Sequence, residues 1–208
     1  MSKSPLDALS ELDRFYHIFG KALAQWAELE FYLSILFKFA SGLDFKPAED
    51  IFYSGRSFQA RADILTAALG HAPLDPQWRE FIEGVLAKAI AYNNFRNQLA
   101  HGTVHPNELD DKGEPRDWRL KKAEKWLEQA GATASDLATA ATNFDRLGVL
   151  ISEAVLDIER GKPPTGYLER LAQLPSEAGA SQPSRKQLGR LRQQQASLRK
   201  SKRRSLGK

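Results

Sequence analysis

The longest regular pattern of hydrophobic residues covers residues 5–40, where apolar positions recur at alternating steps of three and four, the spacing of one helix face. The first row is Leu9, Leu12, Tyr16, Phe19, Leu23, Trp26, Glu30, Leu33, Phe37 and Ala40. The second row is Phe15, Ile18, Ala22, Gln25, Leu29, Tyr32, Leu36 and Phe39. Two adjacent rows form an apolar stripe that is wider than one packed helix covers, so we expect neighbours on two sides of this helix. Ser41 and Gly42 are the predicted stop.

The same spacing predicts three further helices, at residues 57–69, 76–101 and 135–160. A glycine follows each of them, and a proline stands at the start of the second, which are common signals for helix ends and starts. Residues 44–54 are interpreted as a connector with one helical turn, and residues 121–129 as a short helix.

Residues 103–119 have a different pattern, with turn residues between short extended pieces, which indicates a hairpin or an irregular loop. The sequence therefore predicts an all-α fold over residues 1–174. We expect an up-and-down bundle of four to five helices with this short insertion near 103–119.

Charge divides the chain into two unlike parts. Residues 175–208 hold ten of the 30 basic residues and one of the 26 acidic ones, so the net charge of +4 combines a tail of +9 with a body of −5. The tail is poor in apolar residues, which is typical of disorder. It either binds nucleic-acid phosphates or is a solubilising extension. Its candidate nucleic-acid-binding residues are Arg185, Lys186, Arg190, Arg192, Arg199, Lys200, Lys202, Arg203 and Arg204.

Composition excludes several classes of protein. The chain has 42% hydrophobic residues, enough for a folded core, and no cysteine, which excludes disulfides, a thiol nucleophile and cysteine-ligated zinc. The N-terminus lacks the apolar run of a signal peptide. The most apolar stretch, residues 31–40, is interrupted by Lys38 and is shorter than the roughly 20 residues of a membrane span. We expect a soluble, cytoplasmic protein that does not enter a membrane.

The helix at 76–101 carries the candidate chemistry, because two of its rows begin apolar and end polar. The core row is Trp78, Ile82, Val85, Ala89, Tyr92, Arg96 and Leu99, and its neighbour is Leu86, Ile90, Asn93, Asn97 and His101. An arginine in an apolar register is costly unless a partner satisfies it. Glu30 interrupts an apolar row in the same way, so a structural Glu30–Arg96 ion pair is one interpretation.

The segment Arg96-Asn97-Gln98-Leu99-Ala100-His101, followed by Gly102, resembles the motif of the HEPN superfamily (higher eukaryotes and prokaryotes nucleotide-binding). That motif is an arginine, usually followed by a polar residue, with a histidine after four to six positions near the end of a bundle helix. The order of helices across residues 5–161 is also similar. The resemblance implies a metal-independent endoribonuclease whose site is completed across a homodimer. It further implies a toxin, defence or stress component with an antitoxin or operon partner.

The residue types suit that chemistry. The macrodipole at a helix C-terminus favours an imidazolium at His101, which supports a general acid, and Asn97 one turn back is placed to orient it. Arg96 offers a planar fork of donors for a phosphate. RNA cleavage by its own 2′-hydroxyl requires no metal or cofactor, and we expect none. Glu30 and Asn93 are candidate supporting residues.

Other interpretations stay open at this stage. His101 is also placed to cap its helix, and Arg96 to pair with Glu30. His101 and His105 have a spacing found in metal sites, but Gly102 and the proline after His105 argue against a helical metal pair. The alternative function is a non-catalytic HEPN-like bundle that binds RNA, a nucleotide or a protein partner.

Overall fold

The computed structural model describes residues 10–122 and 131–179, and these are mostly helical. In chain order the elements are α1 (Glu11–Ser41), α2 (Phe45–Ser54), α3 (Phe58–Leu69), α4 (Pro76–His101), β1 (Gly102–Leu109), β2 (Pro115–Lys122), α5 (Ala134–Glu159) and α6 (Tyr167–Ala172). The bounds predicted for the helix at 76–101 are confirmed. Those at 57–69 and 135–160 are confirmed to within a residue at each end.

The ends of α1 are set by local hydrogen bonds. The hydroxyl of Ser10 accepts from the backbone N–H of Asp13 at 3.1 Å, so the helix begins at Glu11 and not at the predicted residue 5. Residues 5–9 lie outside the described residues. The predicted stop is confirmed: Gly42 has a φ of 68° and its N–H bonds to the carbonyl of Lys38.

Aromatic side chains hold the core together where three helices meet. The ring of Trp26 on α1 lies 5.1 Å from that of Phe58 on α3 and 5.1 Å from that of Phe144 on α5. Tyr92 brings in a fourth helix, α4, since its ring centre lies 6.0 Å from that of Phe144. Both apolar rows of α1 are buried or half-buried in its second half, but near its start Tyr16 is 49% exposed. The wide stripe is therefore covered on two sides only over part of its length.

Two helices differ from the sequence-based expectation. Residues 45–54 form a ten-residue helix and not a single turn, because Ala48 and Phe52 pack into the core, with Phe52 6.1 Å from Phe37 of α1. The helix α6 was not predicted. It is held by Tyr167, whose ring lies 5.2 Å from that of Trp78 on α4. Such short helices are stabilised mainly by tertiary packing.

The predicted hairpin at 103–119 is confirmed as an antiparallel pair, with Gly113 in its turn at a φ of 80°. Leu120 is its buried anchor, 4% exposed. The backbone N–H of Asp117 donates to the Glu11 carboxylate at 3.2 Å, which ties the hairpin to the start of α1. The predicted start of the short helix at 121–129 is wrong, because residues 121 and 122 belong to β2. Its remainder lies outside the described residues.

The bundle extends past residue 174, where we expected the tail to begin. Tyr92 donates its hydroxyl proton to the carbonyl of Pro175 at 2.9 Å, and Asn143 donates to that of Ala178 at 2.7 Å. Ala178 is 1% exposed. The candidate nucleic-acid-binding residues from Arg185 to Arg204 lie outside the described residues. Within residues 10–122 and 131–179, no helix has the length and apolar character that crossing a membrane requires.

Candidate functional site

Local signals at both ends of α4 fix the position of the candidate residues. Asp75 caps its start by accepting from the N–H of Gln77 at 2.8 Å, and Pro76 occupies the first turn. At the other end the chain turns directly into β1 at Gly102. A Cβ there would lie 2.6 Å from the carbonyl oxygen of Gln98 and 2.6 Å from the side chain of Leu120. Gly102 has an extended backbone (φ −85°, ψ 153°) that ends the helix at His101, and only glycine fits this junction without a clash.

Arg96 lies half-buried on the last turns of α4. Its Nη1 is 3.4 Å from the Oδ1 of Asn97, a long hydrogen bond between neighbours in sequence. Within the described parts of the chain, no carboxylate forms an ion pair with this guanidinium. An arginine that is partly withdrawn from water and lacks a counter-charge is suited to an anion such as a phosphate.

The interpretation that Glu30 neutralises Arg96 is wrong. The Glu30 carboxylate instead accepts from Nη1 of Arg61 at 2.9 Å. Arg61 also donates from Nε to the carbonyl of Gly55 at 3.0 Å, and its guanidinium lies 4.9 Å from the ring centre of Tyr53. Sequence reasoning missed this partner. The available signal was the position of Arg61 beside the buried face of α3, where a cation needs a counter-charge.

His101 is exposed at the C-terminal end of α4, one helical turn beyond the half-buried Asn97. No hydrogen bond or ion pair to its imidazole is present in the described part of the chain. On an ideal helix, Asn97 and His101 lie about 40° apart around the axis, whereas Arg96 and His101 lie about 140° apart and about 7.5 Å apart along it. One copy therefore presents Asn97 and His101 on one face and Arg96 on another.

Asn93 continues the polar row one turn before Asn97. Its Oδ1 is buried and has no hydrogen-bond partner among the described residues. Buried polar atoms without a partner are uncommon, since each costs free energy. The predicted supporting residue therefore offers an unused acceptor near Arg96 and Asn97.

The hairpin that follows His101 has a polar face, and the sequence analysis did not predict this face. Residues 103 and 105 of β1 lie opposite 121 and 119 of β2, and the Asn107 amide donates to the Asp117 carboxylate at 3.1 Å. The Oγ1 of Thr103 lies 2.7 Å from Nε2 of His105. A hydrogen bond from Arg119 lowers the pKa of Asp117. In the region that the structure covers, no three His, Cys, Asp or Glu side chains are placed to hold a metal ion together.

Comparison of this chain with protein-family models, with curated proteins and with solved structures finds no match. The candidate site is therefore argued from its own residues. Three features define it: an uncompensated guanidinium at Arg96, a neighbouring amide at Asn97 and a solvent-facing imidazole at His101.

Proposed function

We propose that this protein is a metal-independent endoribonuclease of the HEPN type, with Arg96 and His101 as catalytic residues and Asn97 as their support. The observation that carries the proposal is the state of Arg96. It has no counter-charge among the described residues, because the one acid expected to pair with it is held by Arg61. A guanidinium that is partly withdrawn from water and lacks a carboxylate partner is suited to an anionic ligand such as a phosphate.

The reaction that these groups suit is attack by a 2′-hydroxyl on the adjacent phosphorus. A bond forms between O2′ and phosphorus while the bond from phosphorus to O5′ breaks, which leaves a 2′,3′-cyclic phosphate and a 5′-hydroxyl. His101, as the general acid, supplies the proton to O5′, and Arg96 stabilises the charge on the phosphoryl oxygens. A second imidazole accepts the proton of the 2′-hydroxyl.

A homodimer supplies that second imidazole. Because Arg96 and His101 point to different sides of α4 in one copy, a site that uses both is best completed by a second copy. A two-fold axis through the site places Arg96 and His101 of both copies in it. The partly exposed first half of α1, with Tyr16 at 49% exposure, is available for such a contact.

The biological setting follows from the same resemblance. We infer a cytoplasmic toxin, defence or stress protein that acts on RNA and has an antitoxin or operon partner. The ten basic residues of the tail, which has a net charge of +9, would concentrate RNA near an acidic body without base specificity. The proposal includes no cofactor.

The test is cleavage of single-stranded RNA by the full chain in EDTA. We expect wild-type protein to cut and His101→Ala to lose at least about a hundredfold in rate, the contribution typical of a general acid. The matched control is His71→Ala, which removes an exposed imidazole from the turn before α4, whereas His101 ends this helix of 26 residues, about 39 Å long. If wild-type protein binds RNA but does not cleave it, the proposed ribonuclease activity is wrong, and the alternative of a non-catalytic HEPN-like bundle that binds RNA is favoured.

A further inference from the structure

A surface cavity of about 270 Å³ lies between α5 and the end of α6. It is lined by Arg146 and Leu150 from α5, and by Arg170, Gln173 and Leu174 from α6 and the residues after it. None of these residues belongs to the site at the end of α4. The volume is several times the roughly 30 Å³ that one water occupies, so the cavity has room for a small ligand.

The two arginines in this cavity differ in how they are held. Arg170 is fixed by an ion pair from its Nη2 to Oε2 of Glu153 at 2.6 Å, and its guanidinium lies 5.6 Å from the ring centre of Tyr167. Arg146 forms no ion pair or hydrogen bond with any described residue. Arg146 is exposed, so its donors face solvent and are accessible to a ligand, whereas Arg170 is paired with Glu153.

A third cation stands at the edge of the cavity. Lys88 of α4 donates from Nζ to the carbonyl of Leu174 at 3.0 Å, which holds the ammonium group next to the lining. Among the described residues, Glu153 is the one carboxylate that forms an ion pair with Arg146, Arg170 or Lys88. These three cations and Glu153 together carry a net charge of +2.

We propose that this cavity binds the phosphate group of a small organic phosphate. Guanidinium forks match the oxygens of a phosphate, and a phosphate monoester carries close to two negative charges at neutral pH, equal and opposite to the excess here. The amide of Gln173 supplies one further donor. Leu150 and Leu174 form an apolar wall for the carbon atoms of the ligand. Binding here does not depend on RNA cleavage at His101.

Titration calorimetry of the full chain with glycerol 3-phosphate and with inorganic phosphate, at constant ionic strength, tests the proposal. We expect saturable binding of both, with glycerol 3-phosphate the tighter because of the apolar wall. Arg146→Gln should weaken binding by at least about tenfold. The control is Lys21→Gln, which removes the same charge from an exposed position on α1 and should change binding less than about twofold.

A second variant guards against an indirect effect of the first. Gln173→Glu places a negative charge in the cavity at an exposed position and should abolish binding while circular dichroism stays that of wild type. Three results would overturn the proposal: no saturable binding by wild-type protein, equal losses in Arg146→Gln and Lys21→Gln, or unchanged affinity in Gln173→Glu.

Discussion

Arg61 of α3 donates to the carboxylate of Glu30 of α1 at 2.9 Å, and the two side chains are only 20% and 12% exposed. This ion pair joins two helices that are far apart in sequence, and it explains how an acid is accommodated in an apolar row of α1. Since it occupies Glu30, the pair also leaves Arg96 without that counter-charge.

Removing one partner of this pair should destabilise the fold. We expect Glu30→Gln to lower the free energy of unfolding by about 2 kcal/mol, because it leaves a poorly solvated guanidinium without its counter-charge. Urea denaturation measures the loss. The control is Asp50→Asn, which breaks the exposed pair with Lys46, also short at 2.6 Å, and should change the midpoint little. Equal effects of the two variants would contradict a structural role for the Glu30–Arg61 pair.

The junction between α4 and β1 requires a glycine. Gly102→Ala should lower the free energy of unfolding by about 1–3 kcal/mol, because its Cβ would overlap Leu120 and the backbone of α4. Gly20→Ala is the matched control: a Cβ at Gly20 meets nothing within 4 Å, and alanine favours the helix, so a gain of up to about 1 kcal/mol is expected. Thermal unfolding compares the two. A neutral Gly102→Ala would show that the junction tolerates a side chain.

Residues 175–179 should contribute to stability as part of the bundle. A chain that ends at residue 174 leaves Tyr92 and Asn143 without their carbonyl acceptors, which we expect to cost at least about 2 kcal/mol relative to a chain ending at residue 179. Burial raises the pKa of Tyr92 to about 12. The shorter chain should therefore also show a tyrosine that titrates closer to pH 10 in an absorbance titration. Identical denaturation curves for the two chains would place the domain boundary at residue 174.

A site that uses the imidazoles of both copies predicts that an inactive subunit silences its partner. When equal amounts of wild-type and His101→Ala chains are unfolded and refolded together, half of the dimers are mixed and have only one His101 imidazole. We expect about one quarter of the cleavage rate of the same total amount of wild-type chain, because only the wild-type dimers keep both imidazoles. A rate of about one half would mean that each copy acts alone. The control is wild-type protein refolded with His71→Ala, which should keep the full rate.

Local information was sufficient for the candidate site and for most helices. Pro76 and Gly102 mark the ends of α4, and the apolar period between them identifies which residues are buried. The change from apolar to polar in its last turns then located Arg96, Asn97 and His101. Caps and periodicity act within a few residues, so they can be recognised without knowing the neighbours of the helix.

The sequence by itself determined the mostly helical fold, the hairpin after α4 and the residues at the end of that helix. Only the tertiary structure decided that Glu30 pairs with Arg61, that residues 45–54 and 167–172 are helical, and that residues 175–179 pack on the bundle. The cavity around Arg146 also required it. Each of these features depends on contacts between residues far apart in the chain, which set the burial of a charge or of a short apolar segment and leave no periodic signal in the sequence.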